Sequence, residues 1–325
     1  MIHTVELYKE IEDELYEKIK CTYGANKNGF IDLHEKILHE GINVTVLKAF
    51  NGISYTARIK VFVDAVKLFR RSIITVDDRT IIENVVKETL FQLFSIRVDH
   101  MNIMRIDYRY DAVIEDTKTR ETLFEMFNKS QDKCCHMKKV DTFRKENGKL
   151  VNNKSSSLRF ENSSRCVTVY DKEIERGVKQ EVIMDYEKNV MRFESQIKRY
   201  HIKYICKKNN IRDTLENFMT VDMYNHFMIK VKNNVLHPGD YYNKYHACKI
   251  INASKFSEKS KNTMIEFITL VANKRTLSAA KERYSNYKFK KILEQLEILN
   301  VNQVTIVKNV GITFIENPLH NMLIE

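Results

Sequence analysis

The stretch that most restricts how this chain can fold is Val190–Tyr204, where an alternating pattern gives way directly to a helical one. In Val190–Lys198 a period of two places Arg192, Glu194, Gln196 and Lys198 on one face and Phe193 and Ile197 on the other. From Tyr200 onward the spacing is that of a basic helix. Tyr200 and Tyr204 stand four residues apart, so they emerge on one side of it, close to Lys203, Lys207 and Lys208. A strand with one polar face running into a cationic helix needs a sheet to join and a polar or anionic partner to face.

The rest of the chain supplies that sheet. Residues 2–8 alternate as a strand, and Glu10–Lys20 reads as a helix. Val44–Phe50 and Ile53–Val63 flank Asn51-Gly52 as a hairpin. Asp77-Asp78 opens an amphipathic helix through Ile81, Val85, Val86, Leu90, Leu93 and Phe94. Met101–Val113, Ser155–Phe160 and Cys166–Lys172 add strands, a helix falls near Arg120–Asn128, and Lys145–Lys154 reads as a polar loop. This order predicts an α+β fold, a mainly antiparallel sheet with flanking helices. After Tyr200 helices dominate: Tyr200–Asn209, Arg212–Phe218, Val221–Asn233, Asn262–Asn273, Leu277–Tyr284 and Asn286–Leu299, with a break at Pro238-Gly239. We therefore expect two domains, a catalytic one over 1–210 and a mostly helical one over 211–325.

The end of the second domain has a winged-helix outline. Val304–Val307 and Ile312–Ile315 would pair as the wing, and Asn286–Leu299 would be the recognition helix, showing Tyr287, Lys288, Lys290 and Lys291 to DNA. A generic helical cap with a terminal hairpin fits the same spacing.

Composition narrows the classes. With 325 residues, 43% of them hydrophobic, and only eight Gly and two Pro, the chain can bury a real core and is neither collagen-like nor linker-rich. The net charge is +11, and from Lys198 to the end 21 basic residues face 11 acidic ones, so nearly all the excess is C-terminal. Such asymmetry suits phosphate backbones, though a solvated lysine-rich face has the same signature. The six cysteines show no C-x-x-C pairing and read as reduced thiols, Cys134-Cys135-His136 being too compact for a zinc site. There is no phosphate-binding G-x-x-x-x-G-K loop, no signal-peptide core and no apolar run of membrane-spanning length, so a cytoplasmic protein without a membrane partner is expected.

The acidic strands carry the candidate chemistry. Alternation puts Arg105, Asp107, Arg109 and Asp111 on one face of Met101–Val113, and Thr168, Tyr170 and Lys172 on the polar face of the strand ending at Lys172, with Asp171 pointing away or capping the strand end. If the polar faces coincide, Asp107 and Glu194 can hold one Mg²⁺ or Mn²⁺ between Arg105 and Arg192, while Lys172 stabilises charge on a phosphate or a leaving oxygen. A phenol near pKa 10 attacks phosphorus only with such help. Tyr204, Tyr170 and Tyr200 are the candidate nucleophiles, in that order, and Lys198 and Lys203 the nearby DNA contacts. Solvated alternating charge, and tyrosines packed in an interface, are the bland counterparts of these readings.

Three motifs in order, Ile103-Met104-Arg105-Ile106-Asp107, Val169-Tyr170-Asp171-Lys172-Glu173 and Met191-Arg192-Phe193-Glu194 with its basic helix, resemble the gene II/X-type replication proteins of filamentous phages and related plasmids. Tyr287-Lys288-Phe289-Lys290-Lys291-Ile292-Leu293 extends the similarity, and Gram-positive plasmid rolling-circle initiators share a similar Arg-x-Glu order. The resemblance implies nicking and religation of origin DNA, double- and single-stranded, through a 5′-phosphotyrosine. It also implies recruitment of host helicase and polymerase, in a bacterial cell carrying the plasmid or phage, and leaves room for a homodimer. The phage branch matches its nucleophile to Tyr170 and the plasmid branch to Tyr204. No His-hydrophobic-His triplet exists, so Asp107 and Glu194 would have to replace a histidine pair. A non-catalytic winged-helix regulator and a conjugative relaxase are the competing readings.

Overall fold

Val, Ile and aromatic residues at every second position build the strands of this α+β protein. The computed structural model describes residues 1–325 apart from 51–53, 131–132, 135–136, 142, 147–148, 153–154, 275, 308–309 and 325. In chain order the first elements are β1 (Ile2–Ile11), α1 (Asp13–Tyr23), β2 (Ile31–Asp32), β3 (Ile42–Phe50), β4 (Tyr55–Asp64), α2 (Ala65–Phe69), α3 (Asp78–Phe94) and β5 (Asn102–Val113). Then follow α4 (Thr117–Ser130), β6 (Lys133–Cys134), β7 (Met137–Val140), β8 (Phe143–Glu146), β9 (Lys149–Asn152), β10 (Ser157–Glu161), β11 (Arg165–Asp171), α5 (Lys172–Lys179), β12 (Val190–Lys198) and α6 (Arg199–Asn209). The chain forms two compact units, and neither is a single stretch of sequence. The first holds Met1–Arg109, Ser163–Arg165 and Ser195–Asn225; the second holds Tyr110–Asn162, Cys166–Glu194 and His226–Glu325.

In the first unit the strand order is β2-β3-β4-β1-β5 with antiparallel ladders throughout. β3 and β4 form the expected hairpin but pair from Ile42 with Val63 to Phe50 with Tyr55, two residues off the register that a two-residue Asn51-Gly52 loop would give; Asn51-Gly52 lies outside the described residues. Alternation sends Val44, Val46, Ile59, Val61 and Val63 into the core and leaves Arg58, Lys60 and Phe62 half-buried on the other face. Each buried aliphatic contributes about 1.5–3 kcal/mol relative to exposure.

In the second unit the order is β12-β11-β10-β7-β6. Ser157 pairs with Tyr170 and Glu161 with Cys166, which fixes which β11 side chains share a face. Phe193 of β12 meets Phe127 of α4 edge-on at 6.1 Å, and Phe127 in turn meets Phe124 and Tyr241, an aromatic core under the strands. The segment expected as a polar loop differs: Phe143–Glu146 and Lys149–Asn152 form an antiparallel pair, β8 with β9.

The helices that follow are α7 (Leu215–Phe218), α8 (Val221–Val231), α9 (Lys244–Ala253), α10 (Glu258–Lys274), α11 (Leu277–Lys281) and α12 (Asn286–Ile298). Alternation and periodicity missed α9, whose start is set by the Asn243 side chain accepting the His246 N–H at 2.9 Å. The expected break is real: past α8 a single π turn over Lys232–Leu236 leads to positive φ at His237 and Gly239. At Gly239 a Cβ would lie 2.7 Å from the Val301 carbonyl carbon, so the residue must be glycine for the strands to close.

The expected wing is corrected. Ile306 bridges to Asn243 and Val301 to Asp240, while Phe314–Ile315 (β14) pairs antiparallel with Tyr241–Tyr242 (β13). Among the described residues the two presumed wing strands therefore pair with 240–243, not with each other. Asp240 holds this centre through Asn300 at 2.6 Å, the Asn317 N–H at 2.8 Å and His320 at 2.7 Å. No helix is long and apolar enough to cross a membrane among the described residues.

Candidate active site

The second unit gathers a polar cluster around Tyr170. β11 ends in Tyr170-Asp171, and Asp171 turns the chain into α5 by accepting the Glu173 and Ile174 N–H groups at 3.0 and 3.1 Å. Arg120 locks that cap: it is buried, donates to Asp171 at 2.8 Å and to Glu173 at 3.0 Å, and also reaches Asn189. Asp171 thus caps the strand end, as alternation allows, and the chain immediately before and after it is pinned. That fixes Tyr170 on one side and Lys172 on the other.

The Tyr170 hydroxyl donates to Glu194 Oε1 at 2.9 Å. Arg192, two residues earlier on β12 and 1% exposed, makes a two-pronged ion pair with Asp111, 2.7 and 2.9 Å long. The buried Lys172 ammonium lies 5.9 Å from the Tyr170 ring centre, donates to Glu175 at 2.7 Å and stands 3.6 Å from Glu187. Glu187 is itself clamped by Arg176 at 2.6–3.1 Å.

Burial moves the protons in this cluster. It pushes the Tyr170 phenol well above its ordinary value, with the Glu194 charge adding to the effect and Arg192 opposing it. Burial, then Arg192, holds the Lys172 ammonium below the usual lysine range against the pull of Glu175. Burial disfavours the Arg192 charge, but the Asp111 and Glu194 carboxylates outweigh it and Arg192 remains charged. The result is a neutral phenol on a carboxylate acceptor, beside an ammonium made more acidic than normal. Such a set can remove a proton from one oxygen and deliver a proton to another.

The first unit holds the other acidic strand, and its cluster differs. Buried Asp107 accepts from Arg105 Nε at 3.0 and 3.1 Å and from Nη2 at 2.7 Å, and also takes the Thr4 hydroxyl. Arg105 also donates to Glu6 at 2.9 Å. A hard divalent ion needs carboxylate lone pairs to spare. Asp107 turns its oxygens to Arg105 and Thr4, so a Mg²⁺ or Mn²⁺ ion there would compete with these partners. Among the described residues no three His, Cys, Asp or Glu side chains form a metal-holding group; Cys135 and His136 lie outside them.

Tyr200 and Tyr204 project from α6 as the i, i+4 spacing predicts, 74% and 58% exposed. Tyr204 stacks on His201 at 5.7 Å, and no hydrogen bond joins either hydroxyl to a carboxylate among the described residues. Lys203 is exposed beside them, and the Lys198 N–H donates to the Ser164 carbonyl at 2.9 Å. Tyr287, Lys288, Lys290 and Lys291 are all exposed at the start of α12, which Ser285 caps.

Alternation missed three contributors. Asp111 was placed on a polar strand face without its Arg192 partner, and Glu175 and Glu187 were not singled out. The signal for Glu175 was the Asp171 cap, which sets it one helical turn beyond Lys172. Arg199 was likewise missed; in the first unit it donates to the Tyr8 hydroxyl and the Ile103 carbonyl. The chain matches no family model and no curated protein.

Proposed function

We propose that this protein is a site-specific DNA-nicking enzyme of the rolling-circle initiation type, with Tyr170 as the attacking group. The observation that carries the reading is the 2.9 Å hydrogen bond from the Tyr170 hydroxyl to Glu194, set between buried Lys172 and Arg192. As the phenolic oxygen forms its bond to phosphorus, its proton passes to Glu194. As the bond to the 3′ oxygen breaks, Lys172 supplies the proton that the leaving alkoxide needs. The product is a 5′-phosphotyrosine and a free 3′ hydroxyl. The reverse steps religate the strand, and because the ester keeps the phosphodiester energy, no nucleotide cofactor is required. Arg192 is too buried to touch DNA; its charge, fixed by Asp111, favours the anionic transition state at short range.

The C-terminal excess of cations and the exposed Tyr287, Lys288, Lys290 and Lys291 support duplex binding by the second unit, and Lys198 and Lys203 support binding near α6. Host helicase and polymerase as partners, and a cytoplasmic site of action, belong to the same proposal. Tyr204 and Tyr200 are the other phenols available, but what favours Tyr170 over them is its carboxylate acceptor. The test is incubation of purified protein, in Mg²⁺ or Mn²⁺ buffer, with a supercoiled plasmid carrying its origin. The proposal expects open circles and a denaturant-stable protein–DNA adduct. Salt-sensitive binding without either product would favour a non-catalytic regulator.

A further inference from the structure

Buried Ile202 and Ile205 fix which side of α6 turns to the core of the first unit. With 3.6 residues per turn, the other side carries Tyr200, Lys203, Tyr204, Lys207 and Lys208, and all five are exposed. They fall into rows. Tyr200 and Tyr204 stand one turn apart, Lys203 and Lys207 run alongside, each three residues on from a tyrosine, and Lys208 flanks the rings from the other side. Tyr204 also stacks on His201 with the two planes 27° apart, so an imidazole continues the row of rings.

Two contrasts set this side apart from ordinary solvated surface. Other phenols of the first unit find partners within the protein: Tyr16, Tyr23 and Tyr108 each donate to a backbone carbonyl at 2.7 Å. The Tyr200 and Tyr204 hydroxyls have no such partner among the described residues. Exposed lysines elsewhere pair with an acid one turn away, as Lys20 does with Glu17 and Lys188 with Asp185. Between Glu194 and Asp213, however, the sequence holds six Lys or Arg and no acid, and Asp213 is itself closed on Arg199. Lys203, Lys207 and Lys208 therefore form no ion pair among the described residues and keep their charge for an anionic partner.

Rings in a row with cations alongside match a single nucleic-acid strand, in which every base has a flat face to stack and every link carries a phosphate. A duplex gains less from the rings, because its bases already stack on one another. A lipid surface fits worse, since this side of the helix exposes no aliphatic residue to insert.

We propose that this side of α6 is a platform for single-stranded DNA, where unpaired bases stack on Tyr200 and Tyr204 while Lys203, Lys207 and Lys208 hold the flanking phosphates. The platform rests on the DNA-nicking reading for the source of its strand, which a nick in a supercoiled origin exposes. It gives the two tyrosines a role that needs their rings and not their hydroxyls. Full-length Tyr170→Phe protein is titrated by fluorescence anisotropy with labelled (dT)12 and with a hairpin duplex at one salt concentration. Tyr200→Ala and Tyr204→Ala should each weaken (dT)12 binding about tenfold and leave duplex binding unchanged. Tyr200→Phe and Tyr204→Phe should bind (dT)12 as tightly as their parent. Lys203→Gln together with Lys207→Gln should lower the log–log salt slope for (dT)12 by about 1–1.5. Thermal melting of each variant separates loss of binding from loss of fold.

Unchanged (dT)12 affinity in the folded alanine variants, an equal loss on the duplex, or a loss in the phenylalanine variants overturns the proposal. So does binding to phosphatidylserine vesicles without binding to (dT)12. Adduct formation by the wild type on origin DNA, measured alongside, reports on the nicking reading separately. Ring effects without an adduct would remove that reading and leave the platform, and an adduct without ring effects would do the reverse.

Discussion

Two arginine–aspartate pairs with opposite exposures show what alternating charge on a strand can mean. In the first unit Arg105 is 29% exposed and closes on Asp107, Thr4 and Glu6, so every group in the cluster answers another. In the second unit Arg192 is 1% exposed and pairs with Asp111 from the distal part of β5, while Glu194 accepts from the Tyr170 hydroxyl. Both come from an Arg-x-Asp or Arg-x-Glu pattern. The difference is where the arginine finds its acid. When it folds onto the acid two residues along, the cluster is a structural clasp. When it reaches to a neighbouring strand, as Arg192 does, the acid two residues along accepts from a phenol instead.

The sharpest way to break this contrast is Glu194→Gln. Removing the proton acceptor should lower nicking by about 10²- to 10⁴-fold with the fold intact, measured by plasmid relaxation and circular dichroism. A loss under twofold would reduce the Tyr170–Glu194 contact to packing.

Stability separates the two clusters next. Arg192→Met removes the two-pronged ion pair with Asp111 at a buried site and should cost about 3–5 kcal/mol in urea unfolding. Asp107→Asn keeps a polar partner for Thr4 and for the half-solvated Arg105, and should cost about 1–3 kcal/mol. Equal losses would erase the distinction between clasp and site.

A comparable effect is expected from pH. His237 is buried and its imidazole is pushed down to about 4 by desolvation. It is neutral when folded, whereas the unfolded chain takes up a proton below about pH 6.5, so stability falls as pH drops through the window from about 6.5 to about 4. The loss is about 3 kcal/mol at the acid end. His237→Asn, which tolerates the positive φ at that position, should flatten this window in pH-dependent melting.

The smallest effect belongs to the exposed lysines. Replacing Lys288, Lys290 and Lys291 together by alanine should lower the salt dependence of duplex binding by about 2–3 in log–log slope, with nicking of single-stranded DNA unchanged.

Much of the sheet was legible because side-chain alternation is a local property. The β3–β4 hairpin, the polar face shared by Arg192 and Glu194, and the cap at Asp171 all follow from neighbours in sequence. What the sequence could not show was partner choice across strands. Asp107 and Glu194 look equivalent as letters, and only the ladders decide that one meets Arg105 and the other Tyr170. The same limit explains Val304–Val307 and Phe314–Ile315, which are apolar enough to pair with each other but find 240–243 instead. It also explains why the tyrosines ranked from Tyr204 downward: helical spacing marks exposure, and a carboxylate acceptor 24 residues away leaves no mark.

The account turns on which phenol attacks phosphorus. Wild-type protein is reacted with origin DNA, the adduct digested with nuclease and trypsin, and the nucleotide-bearing peptide sequenced by mass spectrometry. The modification is expected on Tyr170, and it should vanish in Tyr170→Phe while persisting in Tyr204→Phe. A nucleotide on Tyr204 or Tyr200, or an adduct that survives in Tyr170→Phe, would contradict it.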